Sequence, residues 1–302
     1  MTGTAALVAV WAAALFGVGA SIIAVYGLRD RDKARELWSV YATTIAIAAA
    51  LLVPAAIHPL LFSLVVAAGA YRCIVELATT YRVPVRGAWR EVVAALALVA
   101  VLPGALQTPA ASTLLHATTL VVIAVTAPLY ARAFTAPPEG ARARVLALAF
   151  PLLAAAHLAN LANRPDGFAW IFVLYATVET QDSAAYLFGR LFGKRLLLPR
   201  LSPKKTVAGA VSGTLAGVTV GSVVAWALLD LPAPHALAVA SSIAAAGFCG
   251  DLFTSALKRG AGVKDFPAVH RLHGGVLDVY DSTLFAAVVL SPAIYIIGPW
   301  TS

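Results

Sequence analysis

The placement of charge along the chain constrains its architecture more than any single motif. Ten apolar stretches, at residues 4–28, 38–57, 59–79, 91–106, 114–134, 144–163, 168–188, 207–229, 235–257 and 282–297, alternate with short polar segments. Of the 22 Lys and Arg residues, 20 fall in or beside the segments after the first, third, fifth, seventh and ninth stretches; only Arg72 and Arg164 do not. A helix needs about 20 apolar residues to cross a bilayer core, and cytoplasmic loops are enriched in Lys and Arg. The pattern therefore predicts an all-α fold, a polytopic membrane helix bundle of about ten transmembrane helices with its odd-numbered loops in the cytoplasm. Both termini would lie on the other side. The first stretch, with no basic residue before it, reads as a retained span and not as a cleaved signal peptide.

Composition agrees. The chain is 61% hydrophobic and 12% charged, against about 25% charged in soluble domains. Its net charge of +8 belongs to the loops of a membrane protein and implies no nucleic-acid partner. No linker or repeat divides it, so residues 1–302 are expected to form one integral membrane domain. Cys73 and Cys249, both inside apolar runs, read as small buried side chains and not as a disulfide. The Ala, Gly and Ser content of the second, eighth and ninth stretches permits close helix approach, within the bundle or across a homodimer.

Ionisable residues inside spans are expensive, so each carries information. Arg72 and Glu76 lie four apart and can pair on one helix face, which favours an ion pair that fixes packing. Glu179 and Asp182 sit near the end of the seventh stretch and Asp251 in the ninth, so these acids gather toward one membrane face. His116 and His157 read as hydrogen-bonded packing residues.

Two polar stretches stand out. Residues 250–282 place Asp251, Lys258, Arg259, Lys264, Asp265, His270, Arg271, His273, Asp278 and Asp281 around the adjacent glycines Gly274 and Gly275. Acids with lysines and a flexible turn suit metal and phosphate chemistry. Residues 202–206, SPKKT, stand directly before a helical stretch. Hydroxyls there can cap free N–H groups, and two lysines at the positive end of the helix dipole form a candidate phosphate cradle. The plainer reading of that loop is an orientation signal that attracts anionic headgroups.

These residues resemble the phosphatidate cytidylyltransferases, or CDP-diacylglycerol synthases. The family signature S-x-x-K-R-x-x-x-x-K-D is matched by Ser255, Lys258, Arg259, Lys264 and Asp265, and its H-G-G and paired acids by His273, Gly274, Gly275, Asp278 and Asp281. Upstream, Asp182, Tyr186, Gly189, Arg190, Lys194 and the run Ser202, Pro203, Lys204, Lys205 and Thr206 resemble further family elements. The likeness is specific over about the last 125 residues and only hydropathic before them. Val279 stands where the family has Arg, Ala208 where it has Glu, and Arg271 and Leu272 where it has Pro and Gly. Arg271 is a candidate replacement for the missing arginine.

The resemblance implies that CTP and phosphatidate give CDP-diacylglycerol and pyrophosphate with the help of Mg²⁺, with a second metal ion left open. It divides the domain into N-terminal spans, 1–166, and catalytic spans, 167–302, with cytoplasmic loops at 189–206 and 258–281. It implies metal coordination by Asp251, Asp278 and Asp281, catalytic roles for Asp278, Asp281, Lys258 and His273, and substrate binding by Ser202, Lys204, Lys205, Thr206, Arg259, Lys264, Arg271, Gly274 and Gly275. The partners are then CTP, a membrane lipid phosphate and the bilayer, with the site on the cytoplasmic face of a bacterial inner membrane. Two alternatives stay open: a CTP-using enzyme for another lipid, either cytidylyltransferase or kinase, and a transporter or scramblase. The second would need polar groups near the bilayer midplane in symmetry-related spans.

Overall fold

The computed structural model describes residues 2–27, 31–106, 108–267 and 274–297. Among them the chain forms α1 (Thr2–Gly27), α2 (Arg31–Ile57), α3 (Pro59–Thr80), α4 (Ala88–Leu106), α5 (Pro109–Ala133), α6 (Gly140–Ala162), α7 (Gly167–Phe192), α8 (Val207–Leu229), α9 (Ala233–Gly260) and α10 (Val276–Ile297). Each corresponds to one apolar stretch of the sequence. Seven, α3 to α6 and α8 to α10, are long and apolar enough to cross a membrane, while α1 and α2 hold the shorter apolar runs Ala6–Ser21 and Tyr41–Ile57. The protein is an integral membrane protein. Large apolar side chains such as Leu120, Val121 and Trp226 point outward, an arrangement that water penalises and lipid accepts.

Local chemistry sets the helix ends. His58 caps α3 by accepting from Leu60 N–H at 3.1 Å, with Pro59 in the first turn, so α2 and α3 are separate helices. Thr108 with Pro109 starts α5 in the same way. Pro54, Pro103, Pro128, Pro151 and Pro292 lie inside helices, which a bundle tolerates because neighbouring groups take up the freed carbonyls.

The bundle is built around α6, which packs on α3, α4, α5, α7 and α10. Its buried His157 bonds Thr119 at 2.9 Å, and His116 bonds Ser291 at 3.4 Å, so both histidines are packing residues with hydroxyl partners. The tightest helix pair is α7 with α8. Gly209, Gly213, Gly217 and Gly221 form a stripe on α8, and a Cβ at Gly213 would lie 2.6 Å from the Gln181 carbonyl oxygen. Only glycine lets the two backbones approach so closely. The stripe is therefore used inside the chain.

The helical membrane bundle expected from sequence is the architecture the chain forms, and the structure revises it in detail. A short antiparallel hairpin of β1 (Leu196–Leu198) and β2 (Ser202–Thr206) joins α7 to α8. Thr206, and not Ser202, caps α8 by accepting from Gly209 N–H at 3.1 Å. The segment 258–281 is helical at both ends: α9 runs to Gly260 and α10 begins at Val276, so Asp278 and Asp281 lie in its first two turns and Asp281 does not cap it. Cys249 is exposed, whereas Cys73 is buried.

Candidate active site

The end of α7, the hairpin, the start of α8 and the middle of α9 enclose an open cleft of about 610 Å³. Its wall carries Lys204 and Lys205 from β2, Gln181 and Asp182 from α7, and Phe248 and Asp251 from α9, with Ser202, Thr206 and Arg190 at its edges. Lys205 is the centre of this arrangement. Its ammonium pairs with Asp251 and sits 5.3 Å from the centre of the Phe248 ring. Burial pulls the Lys205 pKa below the usual lysine value, and the nearby carboxylates of Asp182 and Asp281 oppose that fall. Three acids from three helices thus face one lysine. Gln181 is buried in the same wall, and its Oε1 has no hydrogen-bond partner among the described residues. It offers an acceptor to a ligand donor.

A second cluster closes over the start of α10. Lys258 Nζ lies 2.6 Å from Asp278 Oδ1, while Asp278 Oδ2 accepts from Phe266 N–H at 2.9 Å and Gly275 N–H at 3.1 Å. Glu76 reaches across from α3 and accepts from Val276 N–H and Leu277 N–H, both at 2.9 Å. Arg72 pairs with Glu76 at 3.0 Å and donates to the Pro267 carbonyl, also at 3.0 Å. The first N–H groups of α10, which no helix satisfies internally, are thus taken by two carboxylates. The glycines follow from this. Gly274 has φ +71, and a Cβ at Gly275 would lie 2.4 Å from Glu76 Oε2.

Asp281 lies between the two clusters. It is buried, accepts from Thr254 Oγ1 at 2.5 Å, and is close enough to Lys205 and Lys258 to feel both charges.

The Cytidylyltransferase family model matches residues 33–297. The chain belongs to this family. Among curated relatives, it is 36% identical over 131 residues to the phosphatidate cytidylyltransferase of Staphylococcus haemolyticus, covering 43% of this chain and 50% of that one. It is 38% identical over 122 residues to the enzyme of the same name from Bacillus subtilis, covering 39% and 45%. It is also 37% identical over 127 residues to the uncharacterized protein YnbB of Escherichia coli, covering 42% and 43%. The chain spans half or less of the length of these curated relatives.

Placed on this cytidylyltransferase fold, the residues nominated from sequence divide. Ser202, Lys204, Lys205, Thr206 and Asp251 share the cleft. Lys258, Gly274, Gly275 and Asp278 belong to the cluster over α10. Arg259 donates to the carbonyls of Leu201 and Val263, which ties the hairpin turn to the end of α9. Lys264 and Asp265 lie beyond the end of α9. Arg271 and His273 lie outside the described residues. Among the described residues no three His, Cys, Asp or Glu side chains gather into a metal-holding group, so Asp251, Asp278 and Asp281 do not converge on one point. Two contributors are not evident from sequence. Glu76 reads there as half of an ion pair within α3, although a buried acid in a membrane helix signals a partner elsewhere. Gln181 gives no signal apart from standing beside Asp182.

Proposed function

We propose that this protein is a CTP-dependent cytidylyltransferase for a membrane lipid phosphate, most directly phosphatidate. The observation that carries this reading is the cleft at Lys205, where two lysines, two hydroxyl residues and carboxylates from α7 and α9 share one wall. In the reaction, a phosphate oxygen of the lipid attacks the α-phosphorus of CTP. The new P–O bond replaces the bond to the β-phosphate, and pyrophosphate leaves. An ionised lipid phosphate needs no general base. The residues therefore act by binding, orientation and charge.

Lys204 and Lys205 hold the triphosphate, with Ser202 and Thr206 as hydroxyl donors. The Lys205 pair with Asp251 keeps the ammonium in place until phosphate arrives, and Gln181 Oε1 accepts from the incoming nucleotide. Asp182 and Asp251 fit a hard divalent ion, because they line the cleft that receives the phosphates; Mg²⁺ is commonly held by one or two carboxylates plus substrate oxygens. Such an ion supplies neutralisation of the triphosphate and of the departing pyrophosphate. Asp281 supports that wall from behind. Asp278 fits less well, since Lys258 and two backbone N–H groups already take its oxygens. Its place is to hold α10 in position.

The basic loops support a cleft on the cytoplasmic face, where CTP is available, and the bacterial relatives favour an inner membrane. A homodimer would use a face other than the α8 glycine stripe, which α7 covers.

The test is to incubate purified protein with CTP, Mg²⁺ and phosphatidate while following pyrophosphate and lipid-linked CMP, on wild type, Asp278→Ala and Asp281→Ala. The proposal expects equal amounts of the two products from wild type and a large loss in both variants. CDP with a phosphorylated lipid would replace it with a lipid kinase. Lipid or solute flux without nucleotide turnover would replace it with a transporter. Full turnover in both variants would show that the reaction needs neither the hold of Asp278 on α10 nor the support of Asp281 behind the wall.

A further inference from the structure

A second cavity, of about 320 Å³, lies between α2, α3, α6 and α10 and shares no lining residue with the cleft. This volume falls within the about 300–1,000 Å³ typical of ligand pockets. Its lining is aliphatic almost throughout, with Leu51, Val66 and Leu158 among its walls. Ala50, Val65 and Ala68 on its rim are exposed on the outside of the bundle. In a membrane-spanning bundle that outside is acyl chain, so the slot opens sideways into lipid. One cation, Arg72, lines it, beside Val276 at the first turn of α10. Its guanidinium pairs with Glu76 and donates to Pro267, and the side chain remains 34% exposed.

An apolar slot with a lateral mouth and a single partly exposed guanidinium at its α10 end matches an amphiphile whose tail is aliphatic and whose head is anionic. We propose that this slot holds an acyl chain of the acceptor lipid, with the lipid phosphate placed at the Arg72 end. The assignment rests on the lipid-phosphate reading above. Nucleotide and lipid would then enter by separate openings, CTP at the Lys205 cleft and the acceptor at the Arg72 slot. Arg72 serves both the fold and the ligand, since it ties the segment before α10 through Pro267 and presents charge to the headgroup.

Gly69 provides the test. It lines the slot, and a Cβ added there would meet no heavy atom within 4 Å. Gly69→Leu therefore starts from an unobstructed Cβ and should extend into the slot, and a helix-interior glycine is replaced by a better helix former. Wild type and Gly69→Leu are reconstituted in phosphatidylcholine vesicles containing phosphatidate with a diazirine in one acyl chain. They are illuminated, and the adducts are mapped by peptide mass spectrometry. The proposal expects adducts on α3 between residues 65 and 73, at least a tenfold loss of those adducts in Gly69→Leu, and at least a tenfold higher KM for long-chain phosphatidate at saturating CTP. The rise should be smaller for a dihexanoyl acceptor, whose tails reach less far. An unchanged thermal midpoint shows that the variant is folded.

Adducts that avoid the slot while turnover is normal would overturn the slot and leave the reaction standing. Slot adducts without any CDP-lipid would keep the slot and overturn the reaction. Equal labelling and equal KM in the two proteins would overturn the slot outright. A fall in thermal midpoint moves the decision to wild-type labelling alone, which supports or refutes the assignment without the variant.

Discussion

Among the described residues, two lysine–aspartate pairs are built alike. Lys205 pairs with Asp251 and lies 5.3 Å from the Phe248 ring, and Lys258 pairs with Asp278 and lies 5.3 Å from the Phe266 ring. They differ in what else reaches the carboxylate. Asp278 also receives two backbone N–H groups, and both members of its pair are only 11% exposed. The Lys205 pair is 27% and 26% exposed and borders the cleft. On the proposed function the same chemistry serves two ends: the closed pair acts as a structural clasp, and the open pair as a binding element whose lysine exchanges its partner for phosphate. Residue type alone does not separate these roles.

The sharpest way to break the comparison is to remove each partner in turn. Lys258→Ala leaves Asp278 without its cation in a nearly closed site. Loss of one member of a buried pair costs about 3–5 kcal/mol, so the thermal midpoint should drop and activity with it; an unchanged midpoint would show that the clasp is not structural. Gly275→Ala attacks the same clasp through the Glu76 carboxylate. It should destabilise by about 1–3 kcal/mol, the penalty for a displaced buried hydrogen bond, and Glu76→Ala should largely abolish any further effect of the Gly275 change, because the two act on one contact.

A third prediction concerns pH. Burial lowers the Lys205 pKa, so its charge, present below that pKa, is lost at a lower pH than for an ordinary lysine. CTP affinity should therefore fall as pH rises through the alkaline range, and Lys205→Arg, which keeps its charge, should remove that decline. Retention of the decline in the variant would assign it to another group. The smallest effect belongs to Arg259→Ala. It frees an exposed hairpin turn from α9 and should change stability by less than about 1 kcal/mol, while raising KM for CTP by a few fold.

Much of the fold is readable in the sequence because a bilayer enforces it. Apolar length and loop charge are one-dimensional signals, and each of the ten helices among the described residues falls on an apolar stretch. Seven of them, and not ten, are long and apolar enough to cross a membrane. The hairpin is hidden because Leu196 to Leu198 is as apolar as a helix end, and SPKKT reads equally as a loop. The early start of α10 is hidden for a different reason: the groups that satisfy Val276 and Leu277 come from Glu76, 200 residues earlier in the chain. No local capping signal announces a cap supplied by another helix. The site is legible as a set of residue types, since a dense run of charge in a lipid-soluble chain is conspicuous. Its partition is not. That Asp251 faces a cleft while Asp278 is held by backbone depends on Gly275, Phe266 and the hairpin meeting in space.

The most direct measurement of the central claim, that the Lys205 cleft receives the nucleotide triphosphate, is a calorimetric titration of CTP with Mg²⁺ into wild type and Lys205→Ala. A hydrogen bond to a charged group contributes about 1.5–3 kcal/mol, or about ten- to a hundredfold in affinity. At least a tenfold rise in Kd, with the thermal midpoint unchanged, is the result the cleft predicts. An unchanged Kd in a folded Lys205→Ala protein would contradict it and place the nucleotide elsewhere.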